Sequence, residues 1–189
     1  MLWLKRRLPF AFATVIAVAL FGAAAERFAP PASAAPPPGL VNPQEVYAAF
    51  TVNLTRFITW PEGTFSGPDA PFVIGTFPRD PINEELDQAV RGERVERHPV
   101  QTIRIQSLDD VTKCHLVYLS RGTARPAVLA RVANKPILTV SDADGFLELG
   151  GHVRFVSQPT GTRLRISADN LKASGLESRA QLLRLAAAP

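Results

Sequence analysis

Three histidines, one cysteine and a few carboxylates are the side chains here whose chemistry suits catalysis or metal binding. His98, His115 and His152 stand far apart, and none is at metal-ligand spacing to another. His115 falls within the apolar run Cys114–Leu119, where a satisfied core or edge imidazole is expected rather than a ligand. Glu84-Glu85 and Asp109-Asp110 are adjacent carboxylates of the solvated kind. Asp142 and Asp144 flank a strand end, a better place for function, yet Asp-Ala-Asp-Gly lacks the further spaced oxygens of a calcium loop. No phosphate-cradling glycine loop and no Gly-x-Ser-x-Gly elbow occurs. These residues assemble no catalytic set, and the expectation is a protein that is not an enzyme and holds no cofactor or metal.

Cys114 has no partner within the chain, so an internal disulfide framework is excluded. In an oxidising compartment such a thiol is either buried and inert or pairs between chains. Its place at the head of an apolar strand favours burial.

The elements that carry these residues alternate. Asn42-Pro43 reads as a cap followed by Pro at the first helical position. Val46, Tyr47, Phe50, Leu54, Phe57 and Ile58 then recur at helical spacing, with Thr51, Thr55 and Arg56 off that face. The helix is expected to end at Trp60-Pro61, because a residue before Pro avoids the α region. Phe72–Phe77 is a buried strand, Pro81–Val90 a helix with Asp80 as its cap, and Val100–Ile105 a strand. Cys114–Leu119 is another strand, Arg125–Val132 a helix, and Ile137–Val140 a strand. This rhythm predicts a single α/β domain in three layers, with a mostly parallel sheet and helices on both faces. Val153–Val156 and Leu164–Ile166 predict an antiparallel hairpin at the sheet edge, its Arg163 and Arg165 keeping one face wet. Leu171–Ala173 and Arg179–Ala187 close the chain as one or two helices broken at Gly175.

In open α/β sheets ligands bind at the carboxyl ends of the strands, where the connections diverge. Here those ends are Thr76-Phe77, Ser120-Arg121 and Ser141-Asp142. Together they offer an aromatic ring, hydroxyls, a cation and an anion, a lining suited to a small polar or zwitterionic ligand.

Charge and address narrow the function further. The chain has 189 residues with 21 Lys+Arg and 17 Asp+Glu. Residues 1–34 hold Lys5, Arg6, Arg7 and Arg27 against Glu26; the other 155 residues hold 17 basic and 16 acidic groups. A nearly neutral domain has no electrostatic footprint for nucleic acid. Lys5-Arg6-Arg7 precede an uncharged run from Phe10 to Ala25, followed by small-residue sites ending at Ala25 and at Ala34. Residues 1–34 therefore read as a secretory signal cleaved after Ala34, and residues 35–41, with Pro36-Pro37-Pro38-Gly39, as an extended spacer. The run of 16 residues spans roughly 24 Å as a helix, short of a hydrocarbon core of about 30 Å. One domain from about residue 42 to 187 follows, with a periplasmic location.

Five segments in order resemble the YfiR family of bacterial envelope proteins. They are YAAFTVNLTRFITWPEGTF (Tyr47–Phe65), PFVIGTFPRDP (Pro71–Pro81), CHLVYLS (Cys114–Ser120), KPILTVSDADGFLELGGHVRFV (Lys135–Val156) and GLESRAQLLRLA (Gly175–Ala186). The first and fourth are the specific ones. The resemblance implies a compact periplasmic α/β protein, often dimeric, that inhibits an inner-membrane diguanylate cyclase through the enzyme's periplasmic sensor region. It also implies relief of that inhibition by an OmpA-like outer-membrane lipoprotein. The chain departs from the family at Cys114, which has no second cysteine for a redox-sensitive disulfide, and at Ser167 and Arg179-Ala180.

Two readings follow. The first is a regulator that touches a membrane signalling protein through Tyr47, Phe50, Trp60, Arg154, Arg163 and Arg165. The second is a small-ligand module, using the strand-end crevice, that serves a sensor kinase or transport receptor.

Overall fold

The computed structural model describes residues 42–187; the signal segment and spacer read from the sequence lie outside them. Helix α1, Pro43–Leu54, starts as its sequence dictates: the Asn42 side chain accepts from Gln44 N at 3.1 Å, and Pro43 takes the first turn. It stops earlier than its periodicity suggests. A 3-10 turn follows at Thr55–Phe57, and Ile58–Thr59 forms strand β1. The cause is remote. Ile58 pairs with Ser178 and Thr59 with Glu177, in the two-residue strand β9, Glu177–Ser178. Two β-branched residues yield readily to such a partner. Thr51 and Thr55, expected off the apolar face, are buried. Their hydroxyls bond back to Tyr47 O (2.7 Å) and Val52 O (2.6 Å), which satisfies them without water.

The main sheet takes its strands from apolar runs. They are β2 (Phe72–Thr76), β3 (Arg94–Val95), β4 (His98–Arg104), β5 (Leu116–Leu119), β6 (Leu138–Ser141), β7 (Val153–Gln158) and β8 (Gly161–Ile166). Their spatial order is β3-β4-β2-β5-β6-β7-β8. From β4 to β7 neighbours run parallel, and the outer pairs β3/β4 and β7/β8 run antiparallel. The C-terminal hairpin thus joins the sheet through β7, as its alternation predicts.

Side chains along β5 alternate between two cores. Leu116 and Tyr118 enter the first with Tyr47, Leu54, Phe72, Ile74, Leu138, Phe155 and Leu182. Helices α1, α2 (Asn83–Ala89), α4 (Ala168–Ala173) and α5 (Ala180–Ala187) supply residues to that face. Val117 and Leu119 enter the second with Ile105, Val111, Cys114 and Phe146, closed by Val128, Leu129 and Val132 of α3, Pro126–Val132. Both faces of the sheet are therefore covered, which gives the single three-layer α/β domain. Each fully buried Leu, Ile or Phe contributes about 2 kcal/mol by leaving water. Close approach at β2 requires a glycine: a β-carbon on Gly75 would fall 2.8 Å from Ile105 Cδ1 and closer still to Cys114 Sγ.

Two local expectations are corrected. α2 begins at Asn83, and Ile82 occupies the cap position without a side-chain bond. Asp80 is turned away from that helix because Asn83 N bonds its backbone carbonyl at 3.2 Å, leaving the carboxylate free to face β5. His115 and Cys114 precede β5 rather than lying within it, since the 3-10 turn Asp110–Lys113 ends on Cys114 N→Val111 O.

Candidate functional site

β2 and β5 lie side by side, but the chain leaving each goes to opposite faces. The segment after Thr76 leads to α2 in the first layer, and the segment after Leu119 leads to α3 in the other. This is where the connections diverge, and Asp80 fills it. Asp80 is 3% exposed. Its Oδ2 accepts from Phe77 N at 2.9 Å, and its Oδ1 accepts from Ser120 Oγ and from Thr123 Oγ1, the latter at 3.0 Å. Ser120 Oγ and Thr123 Oγ1 are themselves 3.1 Å apart. A buried carboxylate ringed by three donors ties the two connections together.

The row continues toward β7. Asp142 Oδ1 accepts from Arg121 N at 3.1 Å, and its Oδ2 lies 3.5 Å from Arg121 Nε. Asp144 sits between Arg121 Nη1 (3.4 Å) and Arg154 Nη2, to which it is tightly paired. Ser141 Oγ accepts from Ala143 N at 3.0 Å. Of the six residues expected in the crevice, Ser120, Arg121 and Asp142 are thus brought together, and their polar groups bond to one another or to near neighbours. Thr76 is fully buried, its Oγ1 without a partner among the described residues. Phe77 packs on the second core. Three cavities of about 190, 200 and 220 Å³ open elsewhere, and the crevice residues line none of them. Among the described residues no group of His, Cys, Asp and Glu is placed to hold a metal ion.

The smallest of these cavities holds a serine against a histidine, a pairing that could be mistaken for a nucleophile and its base. His152 Nε2 lies 2.9 Å from Ser174 Oγ. On its other side, Nδ1 accepts from Thr139 N at 2.9 Å, which fixes the ring proton on Nε2. The imidazole therefore donates toward Ser174 and cannot take its proton. Burial pushes the His152 pKa down to about 4. The pair is a structural clasp between β6 and α4.

The other two histidines hold a loop. Phe65 lies between them, its ring 3.8 Å from His98 and 4.8 Å from His115. His98 Nδ1 donates to Ala70 O at 2.7 Å, and His115 Nδ1 accepts from Val73 N at 3.0 Å. Burial lowers the His115 pKa. Trp60 packs edge-on against Phe72 at 4.9 Å, and its Nε1 has no partner among the described residues.

The residues expected to touch a partner divide between the two sides of the sheet. Tyr47 is 5% exposed, stacks on Phe155 at 4.9 Å, and shares a 2.6 Å hydrogen bond with Ser157 Oγ. Phe50 and Trp60 are half-buried against the same core. Phe155 points into that core, so Arg154 and its cross-strand neighbour Arg165 leave the sheet on the other side, with Arg163 beside them. Arg165 is exposed.

Sequence reasoning missed Asp80 as the keystone of the crevice, because an acid before Pro81 also fits a helix cap. It missed the clamp on Phe65 because nothing local marks an aromatic ring held by histidines so far along the chain.

A family described as YfiR/HmsC-like matches residues 44–187. No curated protein matches the chain.

Proposed function

Because the chain belongs to the YfiR/HmsC-like family, we propose that it works in the periplasm by binding the periplasmic region of an inner-membrane diguanylate cyclase and holding that enzyme inactive. The family is one of periplasmic regulators in cyclic-di-GMP signalling rather than of enzymes. The observation that carries the reading is the match itself, which covers the whole folded domain from α1 to α5.

The geometry supports action by contact. The strand-end crevice is stitched by Asp80, Ser120 and Thr123, and the Ser174–His152 pair is poised the wrong way for nucleophilic chemistry. An inhibitor of this kind needs only unequal affinity for the two conformers of its client. A tenfold shift in the client's equilibrium requires about 1.4 kcal/mol of preference. Arg163 and the exposed Arg165 of β8, with the half-buried aromatics Phe50 and Trp60, are the surfaces we assign to partners. An OmpA-like outer-membrane lipoprotein that captures the inhibitor, and a homodimer as its working form, belong to the same reading.

Crosslinking in intact cells followed by mass spectrometry tests it. The expected product joins this chain to a membrane protein with a cyclase domain. Crosslinks confined to cytosolic proteins would overturn the reading.

A further inference from the structure

The seven-stranded sheet ends in two unlike edges. β3 is two residues long and β8 is six. Ser167 N donates to His152 O at 3.0 Å, which makes that pair a hydrogen-bonded one. Such pairs alternate in an antiparallel ladder, so Arg154/Arg165, Val156/Arg163 and Gln158/Gly161 also exchange their bonds inward. The backbone N–H and C=O of Thr162, Leu164 and Ile166 therefore point away from β7, and no other described residue pairs with them. A row of unpaired backbone groups on a strand of this length is a template for another strand.

Charge selects the occupant. Arg154 stands directly opposite Arg165, and Arg163 lies on the same face of the ribbon. Like charges placed opposite each other weaken a sheet, and a nearby anion offsets the loss. Asp144 answers Arg154, while Arg165 is exposed. A second copy laying its own β8 along this edge antiparallel would bring arginine against arginine, which disfavours it. An extended segment with alternating acidic side chains meets both demands.

We propose that β8 is a docking edge for an acidic extended segment of a partner protein. The segment adds as a further strand through the backbone of Thr162, Leu164 and Ile166 and sets its carboxylates against Arg165. This rests on the reading of the protein as a partner-binding regulator and names the chemistry of one contact.

The probe is a short fluorescein-labelled peptide of alternating Val and Glu, offered to the purified full chain at low salt, with a Val–Lys peptide as control. The expected result is polarisation gained with the acidic peptide alone and slowed hydrogen exchange at the amides of Thr162, Leu164 and Ile166. Thr162→Pro removes one outward N–H and leaves the ladder to β7 intact; Arg165→Glu reverses the charge. Each is expected to weaken binding about tenfold, the worth of one good contact, with little change in Tm. If Thr162→Pro fails to fold, Arg165→Glu and the exchange pattern decide. No binding of the acidic peptide at millimolar concentration overturns the proposal, as does equal binding of the Val–Lys peptide. Slowing of the same amides with rising protein concentration alone also overturns it, since the occupant is then a second copy. A failed peptide leaves cyclase inhibition standing, and unchanged cyclic-di-GMP in cells leaves the strand docking standing, so the two fail separately.

Discussion

Cys114 Sγ occupies the space that a β-carbon on Gly75 would need. The thiol before β5 and the glycine in mid β2 are fitted to each other, with Ile105 completing the contact. Gly75→Ala is therefore expected to overpack the second core and to cost about 2 kcal/mol. For a domain of this size that is a fall in Tm of roughly 6 °C. The double variant Gly75→Ala/Cys114→Ala should be more stable than the sum of the single changes predicts, because the space is then shared. Strict additivity in urea melts would mean the two residues do not compete for it.

The same burial decides the chemistry of the cysteine. Cys114 is 4% exposed, its Sγ lies 3.5 Å from Asp110 O, and burial pushes its pKa up to about 12. The thiolate is the reactive form, so the folded protein should react with a thiol reagent at pH 8 far more slowly than the denatured chain. No disulfide-linked dimer should appear on a non-reducing gel. Rapid stoichiometric labelling of the native protein would contradict this.

Acid should destabilise the fold through two of its histidines, the buried His152 and the partly buried His115. His152 and His115 both have folded pKa values below the ordinary 6.5, His152 at about 4, in each case because burial disfavours the cation. The unfolded chain then takes up the proton first. Their contribution is flat above pH 6.5 and is lost progressively as pH falls from there toward about 4. For His152 the loss amounts to about 3 kcal/mol across that window. Urea midpoints at pH 7, 6 and 5 should fall in step, and His152→Gln should flatten the trend. A midpoint independent of pH would contradict this.

Asp80 makes a stronger demand on its neighbours than a surface acid does. It accepts from Phe77 N, Ser120 Oγ and Thr123 Oγ1 while buried. Asp80→Ala leaves those donors without their acceptor and should cost about 3 kcal/mol. Ser120→Ala removes one donor and should cost about 1 kcal/mol, with the double variant less damaging than the two added. Thermal melts of the four proteins check this, and an Asp80→Ala protein as stable as the parent would remove its role as keystone.

The parts of the fold that local chemistry controls were legible in the sequence. Asn42-Pro43 announces α1, Phe72–Phe77 and Cys114–Leu119 read as buried strands, the second starting two residues later in the fold, and Val153–Ile166 reads as a hairpin with Arg163 and Arg165 on one face. What escaped depends on distant partners. Ile58–Thr59 becomes a strand only because Glu177–Ser178 comes alongside, and two residues carry no periodicity of their own. Arg94–Val95 escaped for another reason: its partner His98–Pro99 is close in the chain, reached by a turn through Glu96 at φ 54°, but two residues are again too few to show a strand pattern. The strand-end crevice was placed by topology, but Asp80, which fills it from 40 residues before Ser120, could be seen only once the layers were assembled.

Inhibition of a cyclase from the periplasm is tested most directly by the level of cyclic-di-GMP in the cells that make this protein, with its gene present and deleted. The level should rise on deletion and return when the gene is restored at full length. An identical level in all strains, under conditions where the protein is produced, would contradict the account.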